Sequence, residues 1–174
     1  MRFAAYGLLY AILAVGPTLQ SAHAEDAKMA HPAAAAKKFV NFPGVPTCAK
    51  GSVLNGDPTQ GGSVILLKTT SGCAIPWHWH TATEQLMFVL GSGKGEMKDG
   101  GAVVLHAGDY VKMPSKSVHQ FTCVAACTFF LASDAAFDIH YVDKDGKEIS
   151  PDEALKSKAK AKSPVKKDMK DMKM

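Results

Sequence analysis

Apolar residues along the chain fall in short segments set apart by Gly, Pro and Asp, a punctuation that predicts strands. Ser63 to Thr69 and Glu84 to Leu90 are the clearest of these. Ala102 to His106 follows the turn residues Asp99-Gly100-Gly101, and Asp109 to Met113 follows Ala107-Gly108. Val118 to Cys123 and Cys127 to Ala132 are separated by only Val124-Ala125-Ala126, a spacing that predicts a tight hairpin. Phe137 to Val142 ends the series. Nine or ten short strands with no long helix predict an all-β fold, most economically a jelly roll. One short helix is expected over Pro151 to Lys162, where Ser150 can cap and Pro151, Asp152 and Glu153 follow.

The two ends read differently from the middle. Arg2, the apolar run Phe3 to Val15 and the small-x-small triplet Ala22-His23-Ala24 form a secretory signal pattern over 1–24. A run of about thirteen apolar residues falls short of the roughly twenty needed to span a bilayer, so no membrane anchor is expected after cleavage. The expected location is periplasmic or secreted. Residues 25–38 read as a linker, 39–155 as the folded domain, and 156–174 as a disordered basic tail rich in Lys and Met.

With 47% apolar and 21% charged residues, the 174-residue chain has an ordinary globular composition. Its net charge of +4 would suggest a nucleic-acid partner only if it lay on the folded part. Eight Lys and two Asp give 156–174 a charge of +6, Arg2 adds +1, and 25–155 is left at −3. No nucleic-acid partner is expected.

The candidate chemistry lies in the stretch from Gly72 to Gly91. His78 and His80 are two apart, so on a strand both imidazoles project to one face, about 7 Å apart along the chain, while Trp77 and Trp79 face the other way. Thr81 to Thr83 is long enough to turn the chain, after which Glu84 returns a carboxylate to the same face, followed on that side by Leu86 and Phe88. His119 begins a later strand with Phe121 and Cys123 as its same-face neighbours. His106 and His140 read as ordinary histidines, His140 having no partner within sequence reach. The two Trp are expected in the outer layer or at a subunit contact, the alternative being that Trp77 lines the mouth of the site. No second acid or base stands out, although Gln85, Tyr110, Lys112, Lys116 and Cys123 are near in sequence.

These residues resemble the two motifs of the cupins. Gly72, His78, His80, Glu84 and Gly91 satisfy G-x5-H-x-H-x3-E-x6-G at every position. In the second motif, G-x5-P-x-G-x2-H-x3-N, Gly108, Pro114 and His119 match, while Lys116 replaces the Gly and Cys123 the Asn. The resemblance covers roughly Phe42 to Val142 and implies a cupin jelly roll, a double-stranded β-helix barrel, with one divalent ion held by His78, His80, Glu84 and His119. Mixed imidazole and carboxylate donors suit Mn, Fe, Ni, Zn or Cu. The implied function is that of an exported metal-binding cupin, a divalent-metal-dependent small-molecule enzyme of dioxygenase, isomerase or lyase type. The alternative is a non-catalytic metal- or ligand-binding or sensor cupin. The expected ligand is small and anionic or hydroxylated, and a homodimer is expected.

Four Cys in an exported chain suggest disulfides, with Cys123–Cys127 across the expected hairpin the preferred pair and Cys48–Cys73 the remainder. The rival reading leaves Cys123 a thiolate near the metal. Met169, Met172 and Met174 in the tail are soft donors and raise a third possibility, periplasmic copper handling.

Overall fold

The structure, a computed structural model, describes residues 38–161, without the side chains of 157–161. The segments read as signal peptide and linker lie outside the described residues apart from Lys38, as does the tail beyond 161. No helix among the described residues is long and apolar enough to cross a membrane.

Two antiparallel sheets make an all-β jelly roll. The first contains β1 (Ala49–Gly56), β2 (Ser63–Thr69), β4 (Glu84–Leu90), β7 (Tyr110–Met113) and β9 (Cys127–Ser133) in the order β1-β2-β9-β4-β7. The second contains β3 (Ala74–Trp79), β5 (Ser92–Met97), β6 (Ala102–His106), β8 (His119–Cys123), β10 (His140–Val142) and β11 (Glu148–Ile149) in the order β11-β10-β3-β8-β5-β6. Strand alternation decides what lies between the sheets. On β4, Glu84, Leu86 and Phe88 are buried while Met87 and Val89 are exposed. Phe88 and Phe129 of the first sheet meet Phe121 of the second with ring centroids 5.6–5.8 Å apart, and each other at 5.1 Å. Burying each such ring contributes on the order of 1.5–3 kcal/mol, so this trio is a principal tie between the sheets.

Three strands carried no signal in the sequence pattern: β1, β5 and β11. On β5 the inward positions are taken by Gly93 and Gly95, which removes the apolar residues that would mark a buried strand. Gly93 is small because a Cβ there would lie 2.5 Å from the Phe121 ring. Gly91 has φ +84°, and a Cβ would fall 2.0 Å from the Ala126 carbonyl oxygen, so glycine is required where β4 passes into β5.

The expected hairpin at Val124 to Ala126 is not one. β8 pairs with β3 and β5, whereas β9 pairs with β2 and β4, so the three-residue link carries the chain from one sheet to the other. Cys123 and Cys127 are bonded, and the bridge joins the two sheets rather than fixing hairpin register. Cys48, just before β1, is bonded to Cys73, just before β3, and again links the sheets. No described cysteine is free, which removes the thiolate reading of Cys123. The strand expected over Phe137 to Val142 is shorter, covering only His140–Val142, and β11 follows it. Helix α1 (Pro151–Ala161) starts where expected, with Glu153 N–H donating to Ser150 Oγ at 3.2 Å, and runs past the expected domain boundary at 155.

Candidate metal centre

β3 with His80 just beyond it, β8 and β4 bring the four sequence-derived donors to one end of the space between the sheets. His78 on β3 lies opposite His119 on β8 in the strand register. Thr81 to Thr83 then crosses to the first sheet, where Glu84 opens β4 opposite Ser133 of β9. The three imidazoles form one group, with a nitrogen from each within 4.8 Å of the others. All three residues are buried, as is Glu84. Glu84 joins the group through His80, its Oε2 lying 3.1 Å from His80 Nε2.

Backbone carbonyls set the tautomers. His78 Nδ1 lies 2.6 Å from the Pro76 oxygen and His119 Nδ1 2.8 Å from the Ser117 oxygen, each two residues back along the chain. For His80 the partner is the Asp138 carbonyl oxygen. A carbonyl can only accept, so each Nδ1 carries the hydrogen and each Nε2 keeps its lone pair. Burial holds all three rings neutral by penalising their charged forms: His78 falls well below the usual histidine range, His80 falls to about 4 and His119 is also lowered. The same desolvation, with a lesser contribution from the Asp138 charge, raises the Glu84 carboxyl to about 8. Near pH 7 the carboxyl therefore keeps its proton, which His80 Nε2 can accept as a hydrogen bond. Glu84 Oε1 is buried with no hydrogen-bond partner.

Three inward lone pairs and an orphaned buried carboxyl oxygen are the donors a divalent cation needs, and without one the oxygen bears an uncompensated desolvation cost. The residues fit the ion that the sequence implies.

The segment between β7 and β8 supports the site from outside. Lys116, in the place of the second motif's glycine, keeps the left-handed conformation with φ +61°. Its N–H donates to the His80 carbonyl at 2.8 Å, and Ser117 N–H donates to the Pro114 oxygen at 3.1 Å. A non-glycine residue in this conformation costs about 1–2 kcal/mol, so the sequence keeps the turn geometry at an energetic cost. Asp138 had no sequence signal. Besides its carbonyl contact to His80, its Oδ1 accepts from Thr81 N–H at 2.8 Å.

His140 is not without a partner: Nδ1 lies 2.8 Å from Glu148 Oε1 and Nε2 3.2 Å from Asp138 Oδ2. Trp79 stacks on it, ring centroids 3.9 Å apart. His106 is exposed, at the end of β6. Gln85 and Tyr110 hydrogen-bond each other on the outer side of the first sheet at 2.9 Å, away from the donors.

An apolar cavity adjoins the donors, with about 90 Å³ open to the centre of a water molecule. Its walls include Phe42, Ile75, Met97, Val111, Phe137 and Ile139. Neither Trp lines it.

Two antiparallel sheets enclosing three convergent imidazoles and a carboxyl define a cupin. Within that class the chain belongs to the ChrR cupin-like family, whose model matches residues 28–136. A cupin-2 domain protein from Rhodospirillum rubrum is similar in structure, at 17% identity and a TM-score of 0.50, over 63% of this chain and 82% of that one. An RmlC-like cupin from Shewanella frigidimarina gives 18% identity and 0.49 over 57% and 84% of the two chains. A cupin-like protein from Thermotoga maritima gives 18% and 0.48 over 56% and 80%. At 17% identity the likeness to the Rhodospirillum rubrum protein is one of fold. No curated protein shows significant sequence similarity to the chain.

Proposed function

We propose that the chain is an exported metal-binding cupin in which His78, His80, Glu84 and His119 hold one divalent ion, Mn, Fe, Ni, Zn or Cu, and which acts on a small molecule in the adjoining cavity as an enzyme of the dioxygenase, isomerase or lyase type. The observation that carries this reading is the buried donor set itself. Each imidazole has its N–H spent on a carbonyl and its lone pair turned inward, and the Glu84 oxygen beside them lacks a partner. A divalent ion held by His78, His80, Glu84 and His119 would supply Lewis-acid or redox chemistry there.

The chain's own residues provide the setting. The carbonyls of Pro76, Ser117 and Asp138 hold the rings in orientation, as outer partners of metal-binding histidines commonly do. The apolar walls limit water around the donors. Tyr141, fully buried and opposite His78 in the register, packs its ring 5.9 Å from the His78 ring and anchors its hydroxyl on the Gly44 carbonyl.

Two disulfides support an oxidising compartment and, with the signal pattern over 1–24, export. A homodimer belongs to the same reading: Met87 and Tyr110, paired across β4 and β7, are exposed apolar residues that a second copy would cover. The copper-handling reading rests on Met169, Met172 and Met174, which lie outside the described residues.

Elemental analysis of the protein purified from its native compartment tests the proposal. One divalent ion per chain is expected, lost when the four donors are replaced by Ala; native metal content in that variant would sink the assignment. Oxygen uptake or substrate loss by the loaded protein then separates turnover from a binding or sensor role.

A further inference from the structure

The cavity beside the donors has a chemical character that differs from the small anionic or hydroxylated ligand expected from sequence. Apart from the four donors, its only residues with charged or amide side chains are Glu96 and Gln120, and no Lys or Arg is among the described residues that line it. Those two are already engaged: Gln120 Nε2 donates to Glu96 Oε2 at 3.1 Å, and Lys94 Nζ lies 2.6 Å from Glu96 Oε1. Strand alternation sets them apart from Gly95, Met97, His119 and Phe121, which face between the sheets. A ligand rich in hydroxyls would leave them unpaired against apolar walls, at about 1–3 kcal/mol for each buried group. A second anionic group would meet no cation.

Two glycines line the cavity, Gly95 and Gly101, and of these Gly95 lies within a strand. Gly95 on β5 lies between the aromatic core and the donors, opposite Phe121, while its neighbour in the chain but one, Met97, lies opposite His119. A Cβ on Gly95 would meet nothing nearer than a Val103 methyl at 3.7 Å, and its backbone is not left-handed. Neither turn geometry nor close packing demands glycine there, unlike at Gly91 and Gly93. What glycine leaves is room. The cavity accommodates on the order of six to nine waters, at roughly 10–15 Å³ of centre volume each, or an organic body of about ten heavy atoms.

We infer that the ligand is a compact, largely apolar molecule with a single metal-binding oxygen head, and that Gly95 sets the size of apolar body admitted. The inference rests on the metal-site reading above, and hydroxamates can test the two separately because one head can carry different bodies. Co(II)-loaded protein is titrated with acetohydroxamate, benzohydroxamate and gluconate, following the visible bands of the ion. Benzohydroxamate should bind about tenfold or more tightly than acetohydroxamate, as expected for burial of a phenyl ring, and gluconate more weakly than either.

Gly95→Leu should reduce the preference for the aryl compound to about twofold or less, and Gly95→Ala should give an intermediate value if the larger residue impairs folding. Elemental analysis of each variant confirms that Co(II) is retained. Equal affinity for the two hydroxamates, or tighter gluconate binding, overturns the inference while leaving the metal site in place. An undiminished aryl preference in both variants overturns the role of Gly95. Failure of the unaltered chain to take up Co(II) overturns the metal site and, with it, the inference.

Discussion

Glu84 is the residue on which burial acts most plainly. Its carboxyl is raised to about 8 by desolvation, and the same desolvation lowers His80 to about 4 against the raising effect of its hydrogen bond to the Asp138 carbonyl. A cation placed among these donors must displace the carboxyl proton, while the imidazoles have none to give near neutral pH. Metal uptake at pH 7 should therefore release about one proton per ion. The release should fall away above pH 8, and metal affinity should rise with pH until that point and then level. Calorimetry in buffers of different ionisation enthalpy measures the proton count, and Glu84→Gln should bring it close to zero. A count near zero in the unaltered chain would show that Glu84 is already ionised without metal or takes no part in holding the ion. Lys116 illustrates a different relation between residue and geometry: the motif's glycine is lost, yet its left-handed backbone is kept because the turn must present its N–H to His80.

At the level of strands, donors and disulfides occupy opposite ends of the same elements. Cys73 precedes β3 and His78 lies near its far end, about 16 Å on at a strand's rise; β8 starts at His119 and finishes at Cys123. Both bridges tie the two sheets together away from the metal centre. Loop-closure entropy assigns about 3.5 kcal/mol to Cys48–Cys73, which spans 25 residues, and about 2 kcal/mol to Cys123–Cys127, which spans four. Denaturant unfolding of the two double Cys→Ser variants should show that order of loss, with metal content near one ion per chain in both. Loss of metal from a folded variant would mean that the bridges position the donors as well as join the sheets. The link between Cys123 and Cys127 also shows why strand pairing was misread: three residues suit a hairpin, but the partners of β8 and β9 lie far away in sequence.

For the whole molecule, an ion held as proposed would couple its binding to folding. In the metal-free chain Glu84 has a folded pKa near 8 against an ordinary value of 4.5, so its contribution to stability is full below 4.5 and lost as pH rises through 8. The lowered histidines act in the opposite direction, their contribution being present above the ordinary value of 6.5 and lost as pH falls through their folded values. A bound ion offsets the cost of the Glu84 charge. Chelation should therefore lower unfolding free energy by about 2.7 kcal/mol relative to protein at a hundredfold excess of metal over Kd. Thermal unfolding with and without chelator at pH 6 and pH 8 measures this, and the gap should be wider at pH 8. An unchanged melting temperature at both values would argue against a resident ion.

Sequence alone determined the class of fold, because strand alternation is written in local spacing, and it pointed to the four proposed donors through the resemblance of two motifs to those of the cupins. Alternation marks β strands such as Ser63–Thr69, and histidines two apart on a strand must share a face. It could not supply the partners of β8 and β9, the Asp138 carbonyl that fixes His80, or the glycine-bearing strand β5. Those depend on contacts between residues distant in the chain, which only the packing of the two sheets brings together. The character of the cavity was decided in the same way: apolar side chains from both sheets converge on it, and Gly95 contributes space, which no pattern of neighbouring residues records.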